Sequence, residues 1–151
     1  MTLAELMGPA HVFPKLRAAD KARLVQELAR RAGAVLNVPA AEIAAALAAR
    51  EALGSTGVGA GIAVPHAQVA GLAGTAAFLA RLERPVDYAS IDGRPVDLVF
   101  LLLGPPNARA EHLAALAAAT RRLRDPAIAE ALRGAGTPEA LRDRFVSEPA
   151  G

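Results

Sequence analysis

The chain has 151 residues, 53% of them hydrophobic and 21% charged, the composition of one ordinary globular domain and not of a disordered or fibrous chain. It contains no cysteine, which excludes disulfides, thiolate catalysis and Cys-ligated metals. The formal charge is only +2 although the pI is about 9.7, and without a tryptophan to interleave with the arginines the charge is not a nucleic-acid footprint.

The first residues, MTLAELMGPAHVF, lack a basic segment followed by an apolar run, so they do not read as a signal peptide. Val12-Phe13 before Pro14 has the character of a short strand, and His11 beside it reads as a structural histidine. Asp20 is an N-cap, and Leu24, Val25, Leu28, Ala32 and Val35 recur at helical spacing behind it, predicting a helix packed by one side on a sheet. Pro39 opens a second helix over about Ala40 to Leu53, with Glu42 suited to the positive end of its dipole. Its buried stripe is Ile43, Ala46 and Leu47, and the same stripe continues to Arg50. An inward arginine needs an anion, a structural carboxylate such as Asp92, or a path to water.

Composition then changes abruptly at Gly54–His66, GSTGVGAGIAVPH. Four glycines, which leave the backbone free to take positive φ and to approach a ligand closely, lead into Ile62-Ala63-Val64, a short buried strand that ends in Pro65-His66. Ala67 to Gly74 reads as a link, Thr75 to Leu82 as a strand closed by Arg84-Pro85, and Val86 to Ile91 as a short edge strand before the Asp92-Gly93 turn. The nearly continuous apolar run Pro95–Leu103 predicts a central strand buried on both faces, too short to cross a bilayer. A helix follows over about Ala108 to Arg124, with Leu113, Leu116, Thr120 and Leu123 on one stripe and His112 adjoining it in the first turn. Arg121, Arg122 and Arg124 read as its solvated face. Asp125-Pro126 and Thr137-Pro138 start two short final helices, the second reaching Phe145. The whole predicts a single α/β domain over residues 1–151, with a mixed, roughly five-stranded sheet covered by helices, a core at about 12–146 and a frayed tail at 147–151.

Several familiar sites are excluded. The 54–66 stretch has no lysine for a Walker A loop, Ile62 stands where a Rossmann loop needs its third glycine, and neither Ser55 nor Ser90 lies on a nucleophile elbow. His11, His66 and His112 lack metal-ligand spacing. What remains is a glycine loop, a histidine at a strand end, a second histidine at a helix start and an inward arginine, parts that suit phosphoryl chemistry on imidazole. An arginine fork and a second imidazole supply donors for the charge on a transferred phosphoryl group.

Arg50–Gly59 (REALGSTGVG) and Gly61–His66 (GIAVPH), with Leu82–Val86, Ile91–Phe100, Glu111-His112-Leu113 and Arg122–Asp125, resemble the fructose/mannitol-type IIA proteins of the bacterial phosphotransferase system, and within them the nitrogen-regulatory type. The resemblance runs from about residue 12 to 146. It implies that His66 accepts a phosphoryl group from the phosphohistidine of HPr or an HPr-like protein, and that Arg50 and His112 hold the phosphoryl oxygens and orient the nucleophile. It implies no metal, nucleotide or organic cofactor, and a cytoplasmic protein with neither membrane insertion nor a nucleic-acid partner. Output is expected through regulatory target proteins, since no IIB, IIC or HPr segment accompanies the domain; the alternative is transfer to a IIB domain of a sugar transporter. A non-catalytic anion-binding module is a rival from another class, and a DNA-binding regulator a further one. Partner contacts are expected on an apolar ring formed by Ile62, Val64 and Leu72. Two departures bear on the loop and on partner choice: Ala60 stands where many members have Asn, and Ala67-Gln68 where many have Gly followed by a basic or polar residue.

Overall fold

The computed structural model describes residues 2–147, so the expected frayed tail lies outside the described residues apart from Ser147. A first short helix α1 (Leu3–Leu6) and a 3-10 turn (Pro9–His11) precede β1 (Val12–Leu16). Neither the helix nor the turn was expected, because segments of three or four residues carry no periodicity to read. Pro14 lies within β1, which among the described residues has β5 as its sole strand neighbour. An edge strand tolerates the missing N–H.

Helices α2 (Lys21–Leu36) and α3 (Ala40–Ala52) follow. Asp20 caps α2 by accepting from the Arg23 amide at 2.8 Å, a cap worth about 1 kcal/mol. Leu24, Val25, Leu28 and Ala32 are buried as their spacing predicted, but Val35 is exposed, in the last turn before the left-handed Asn37 that ends the helix.

Among the described residues the sheet has six strands in five positions, and the reason is one proline. Strands β2 (Gly57–Gly59), β3 (Ile62–Ala63), β4 (His66–Gln68), β5 (Ala76–Val86) and β6 (Val96–Gly104) join β1 in the order β1-β5-β6-β3-β2, with β4 also on β6. Ile62 pairs with Leu98 and His66 with Leu102, both in parallel, so no residue is inserted between β3 and β4. Pro65 interrupts the ladder by lacking an N–H, yet its carbonyl still accepts from Leu102 N at 3.0 Å. Three sequence expectations are corrected here. His66 opens a strand instead of ending one, and Ala67-Gln68 belongs to that strand and not to a link. Nor does Val86–Ile91 form a separate strand: β5 runs on through Pro85 to Val86, which pairs with Val96. The Asp92-Gly93 turn is present, with Gly93 N donating to Ser90 O at 2.9 Å and Gly93 at φ 73°.

Strand β6 is buried on both faces and divides the core by alternation. Val99, Leu101 and Leu103 meet α2 and α3 with Leu28, Ile43 and Leu47. Leu98, Phe100 and Leu102 face the opposite layer, made by α1, α4 (Arg109–Leu123), α5 (Pro126–Arg133) and α6 (Pro138–Val146). Asp125 and Thr137 cap α5 and α6, accepting from Ala127 N at 3.0 Å and Ala140 N at 3.1 Å. Arg122 departs from the solvated face expected of it: its guanidinium donates to the carbonyls of Phe145, Arg144 and Ser147 and so ties α4 to the end of α6. Among the described residues no helix is long and apolar enough to cross a membrane.

Candidate functional site

The alternation that sorts the core also aims His66. Ala67 faces the α2/α3 layer, so its neighbour His66 points to the opposite face, as does its ladder partner Leu102. That puts the imidazole at the sheet border, between the end of α3 and the start of α4. Its Nδ1–H donates to the carbonyl of Val64 at 2.8 Å. A carbonyl can only accept, so in the neutral ring this bond fixes the tautomer and leaves Nε2 with its lone pair.

Arg50, in the last turn of α3, faces that lone pair. Its Nε–H points at His66 Nε2 across 3.4 Å, and its Nη1 donates to Gly54 O at 2.9 Å. Among the described residues Arg50 therefore bonds neither Asp92 nor any other carboxylate, one of the two structural alternatives to an anion site; Asp92 accepts instead from Ala60 N at 2.9 Å and Arg94 N at 3.0 Å.

From the other side comes His112, whose ring centroid is 5.6 Å from that of His66. It is only 4% exposed, and burial, followed by the nearby charge of His66, holds its pKa below the ordinary histidine value. The expected stripe on α4 is met at Leu123 and in part at Leu116, but not at Leu113. The buried positions are His112, Ala115, Ala119 and Leu123, while Leu113 is 53% exposed. In this alanine-rich helix the small residues make the close approach to the sheet, and counting only large side chains put Leu113 on the predicted face.

Arg50, His66 and His112 thus line one open depression of about 470 Å³ together with Leu53, Gln68, Arg109 and Leu113. Its exposed apolar rim is Leu53, 84% exposed, and Leu113. Ile62 and Val64, expected on that rim, are buried beneath the sheet, and Leu72 packs partly against the α2/α3 core. His11 takes no part: its Nδ1–H donates to Ala77 O at 2.9 Å and its ring stacks on Phe78.

The glycine loop also differs from expectation. A Cβ on Gly57 would lie 2.2 Å from Ser90 Oγ, and one on Gly61 would lie 2.6 Å from Arg133 Nη2. These glycines are packing positions against the protein's own side chains, not clearance for a ligand. The tip, Ala60-Gly61, is held in left-handed conformations at φ 56° and 80°. Asp92 grips Ala60 N, while Arg133, paired with Asp97 at 3.0 Å, donates to Ala60 O at 2.7 Å.

One residue of the site's foundation escaped the sequence reading. Glu51, next to Arg50, accepts from both the amide (3.0 Å) and the hydroxyl of Thr56, and pairs with Lys21 Nζ at 3.0 Å. Lys21 also lies over the Tyr88 ring, 4.5 Å from its centroid. Burial alone would raise the Glu51 pKa, but the two Thr56 bonds and Lys21 more than offset it and hold the carboxyl below the usual glutamate range. The carboxylate so clamps the turn from Leu53 to Thr56 that carries Gly54 O, the acceptor of Arg50. An acidic side chain in the last turn of a helix opposes the dipole, and that was the available signal that Glu51 needed a partner.

Residues 5–147 match the family model described as phosphoenolpyruvate-dependent sugar phosphotransferase system, EIIA 2. A nitrogen regulatory protein of Bradyrhizobium diazoefficiens is 41% identical over 150 residues, covering 99% of this chain and 98% of that protein. The crystal structure of the nitrogen regulatory protein IIA-Ntr from Neisseria meningitidis superposes with a TM-score of 0.88 at 33% identity, over 93% of this chain and 97% of that one. The 2-O-alpha-mannosyl-D-glycerate-specific EIIABC component of Escherichia coli is 40% identical over 107 residues, which is 67% of this chain but 16% of that protein.

Proposed function

Because the chain belongs to the EIIA type-2 family of the phosphotransferase system, a family of phosphoryl carriers, we propose that it works in the cytoplasm as a histidine phosphocarrier with regulatory output, in which Nε2 of His66 accepts the phosphoryl group of a donor phosphohistidine on HPr or an HPr-like protein. The observation that carries this reading is the pair of contacts on one imidazole: Val64 O binds Nδ1–H, and the lone pair on Nε2 faces Arg50.

The transfer balances without a proton shuttle. Nε2 attacks phosphorus in line, and the bond from phosphorus to the donor imidazole breaks as the new one forms. The positive charge of the donor ring passes to His66, where Val64 O, already bonded to Nδ1–H, stabilises it. Arg50 and the Nε2 edge of His112 supply hydrogen bonds to the phosphoryl oxygens, each charge-assisted bond worth about 1.5–3 kcal/mol. The exposed side chains of Leu53 and Leu113 give the donor protein an apolar seat.

Regulation is favoured by the relatives named nitrogen regulatory protein, which match this chain along nearly their whole length. A second reading, delivery of the phosphoryl group to a IIB domain, has its support in the similarity to part of a sugar-specific EIIABC component. Incubation with phosphoenolpyruvate, enzyme I and a phosphocarrier tests both. An acid-labile phosphoryl label on this chain is expected; failure to take any label leaves only a passive anion-binding module. Rapid passage of that label to an added IIB domain would favour transport over regulation.

A further inference from the structure

His112 differs from the other two histidines in a way that bears on its chemistry. His11 and His66 each donate Nδ1–H to a backbone carbonyl, those of Ala77 and Val64. Nδ1 of His112 is fully buried and has no partner among the described residues. Its Nε2 is not among the buried atoms that lack partners, and the ring borders the depression that holds His66; the outward edge is therefore the Nε2 edge.

A second orphan lies beside the first. Thr75 Oγ1 is also buried and unpartnered, and both atoms flank Gly104: from the point where a Cβ on that residue would lie, Thr75 Oγ1 is at 3.2 Å and His112 Nδ1 at 3.3 Å. Any side chain at 104 would occupy the space between them. A hydroxyl carries a proton in want of an acceptor, and a bare imidazole nitrogen is an acceptor in want of a proton donor. In this structure the two are not bonded to each other; because buried polar groups without partners are costly, a turn of the Thr75 side chain that brings its hydroxyl onto Nδ1 removes two penalties at once.

We propose that the hydroxyl of Thr75 donates to Nδ1 of His112 and thereby holds this imidazole as its Nε2–H tautomer, making Thr75 a positioning residue for the phosphoryl site. The two site histidines then present opposite faces to an incoming phosphoryl group: a lone pair from His66 and an N–H donor from His112. The lowered pKa of His112 agrees with a ring kept neutral. The proposal rests on the reading of His66 as acceptor, but its first test does not.

Nitrogen-15 NMR of the histidine rings in the resting protein, without donor, reads the tautomers directly. The wild-type protein is expected to show His112 protonated on Nε2 and His66 on Nδ1. Thr75→Val, which keeps the shape and removes the hydroxyl, is expected to convert His112 to a mixture of tautomers. It should also slow phosphoryl transfer to His66 about tenfold, the effect of losing one hydrogen bond, at unchanged KM for the donor; Thr75→Ser should restore both. A wild-type His112 protonated on Nδ1 would overturn the proposal even if Thr75→Val failed to fold. So would a Thr75→Val protein with unaltered ring shifts and transfer rate. Absence of any label on His66, with the expected tautomers present, would instead count against the phosphocarrier reading.

Discussion

The Nε–H of Arg50 points at the unprotonated Nε2 of His66 across 3.4 Å, so the guanidinium already stands where negative charge collects if that nitrogen takes a phosphoryl group. Removing a donor preorganised in this way costs about 10²–10³-fold in rate. Arg50→Ala is therefore expected to lower the transfer rate to His66 by that factor, and Arg50→Lys to recover only part of it, since the ammonium keeps the charge but loses the planar fork. Rapid-quench labelling checks both, and thermal denaturation should find the fold of each intact.

Glu51 supports this arrangement from below. Glu51→Ala leaves the amide and hydroxyl of Thr56 and the ammonium of Lys21 without their shared acceptor. Breaking a buried pair from one side costs roughly 3 kcal/mol. Urea unfolding should register a loss of about that size, and transfer should also slow, because the turn bearing Gly54 O no longer steadies Arg50.

The loop tip makes a prediction of opposite sign. Ala60 holds φ at 56°, where a Cβ costs roughly 1 kcal/mol and Asn is tolerated better. Ala60→Asn is expected to raise stability by about 0.5–1 kcal/mol with phosphoryl transfer unaltered. Arg133→Ala, which removes the bond to Ala60 O and the pairing with Asp97, should cost about 2 kcal/mol. Paired denaturation curves of the two variants decide the matter.

Acid should weaken the fold in two stages. Burial depresses the pKa of His112, so between that lowered value and the ordinary value near 6.5 the unfolded chain binds a proton that the folded chain refuses. Stability from this source is complete above about pH 6.5 and declines as pH falls below it. The lowered Glu51 carboxyl contributes stability that is present above the ordinary glutamate pKa, about 4.3, and is lost as pH falls through the folded value. Thermal midpoints measured from about pH 8 to 3 should show both stages. His112→Asn should remove the upper one and Glu51→Gln the lower.

Much of this molecule was legible in its sequence because the relevant signals are local. Asp20, Asp125 and Thr137 announce their helices by capping chemistry, and the apolar run into Leu103 announces the central strand. Arg50 and His112 were found by helical periodicity, His66 by its place beside the glycines. What escaped is non-local or small. Glu51 finds Thr56 across a turn and Lys21 from another helix, so no spacing reveals the cluster. The inward stripe of α4 runs through Ala115 and Ala119, and those small side chains hid how fully His112 is buried and that Leu113 is exposed. Gly57, Gly59 and Gly61 were misread because Ser90, Asp92 and Arg133, which fill the space beside them, come from distant segments. Pro65 hides the continuity of β3 and β4, because a ladder with one missing donor reads as two ends.

The central claim is that one nitrogen, Nε2 of His66, carries the phosphoryl group. Its most direct test is to phosphorylate the protein with phosphoenolpyruvate, enzyme I and a phosphocarrier, then locate the group by peptide mass spectrometry under non-acidic conditions and by phosphorus–nitrogen coupling in ¹⁵N-labelled protein. The account predicts a single acid-labile group on His66 coupled to Nε2, absent from His66→Ala. A group on Nδ1 of His66, or on another residue while His66 stays unlabelled, would contradict it.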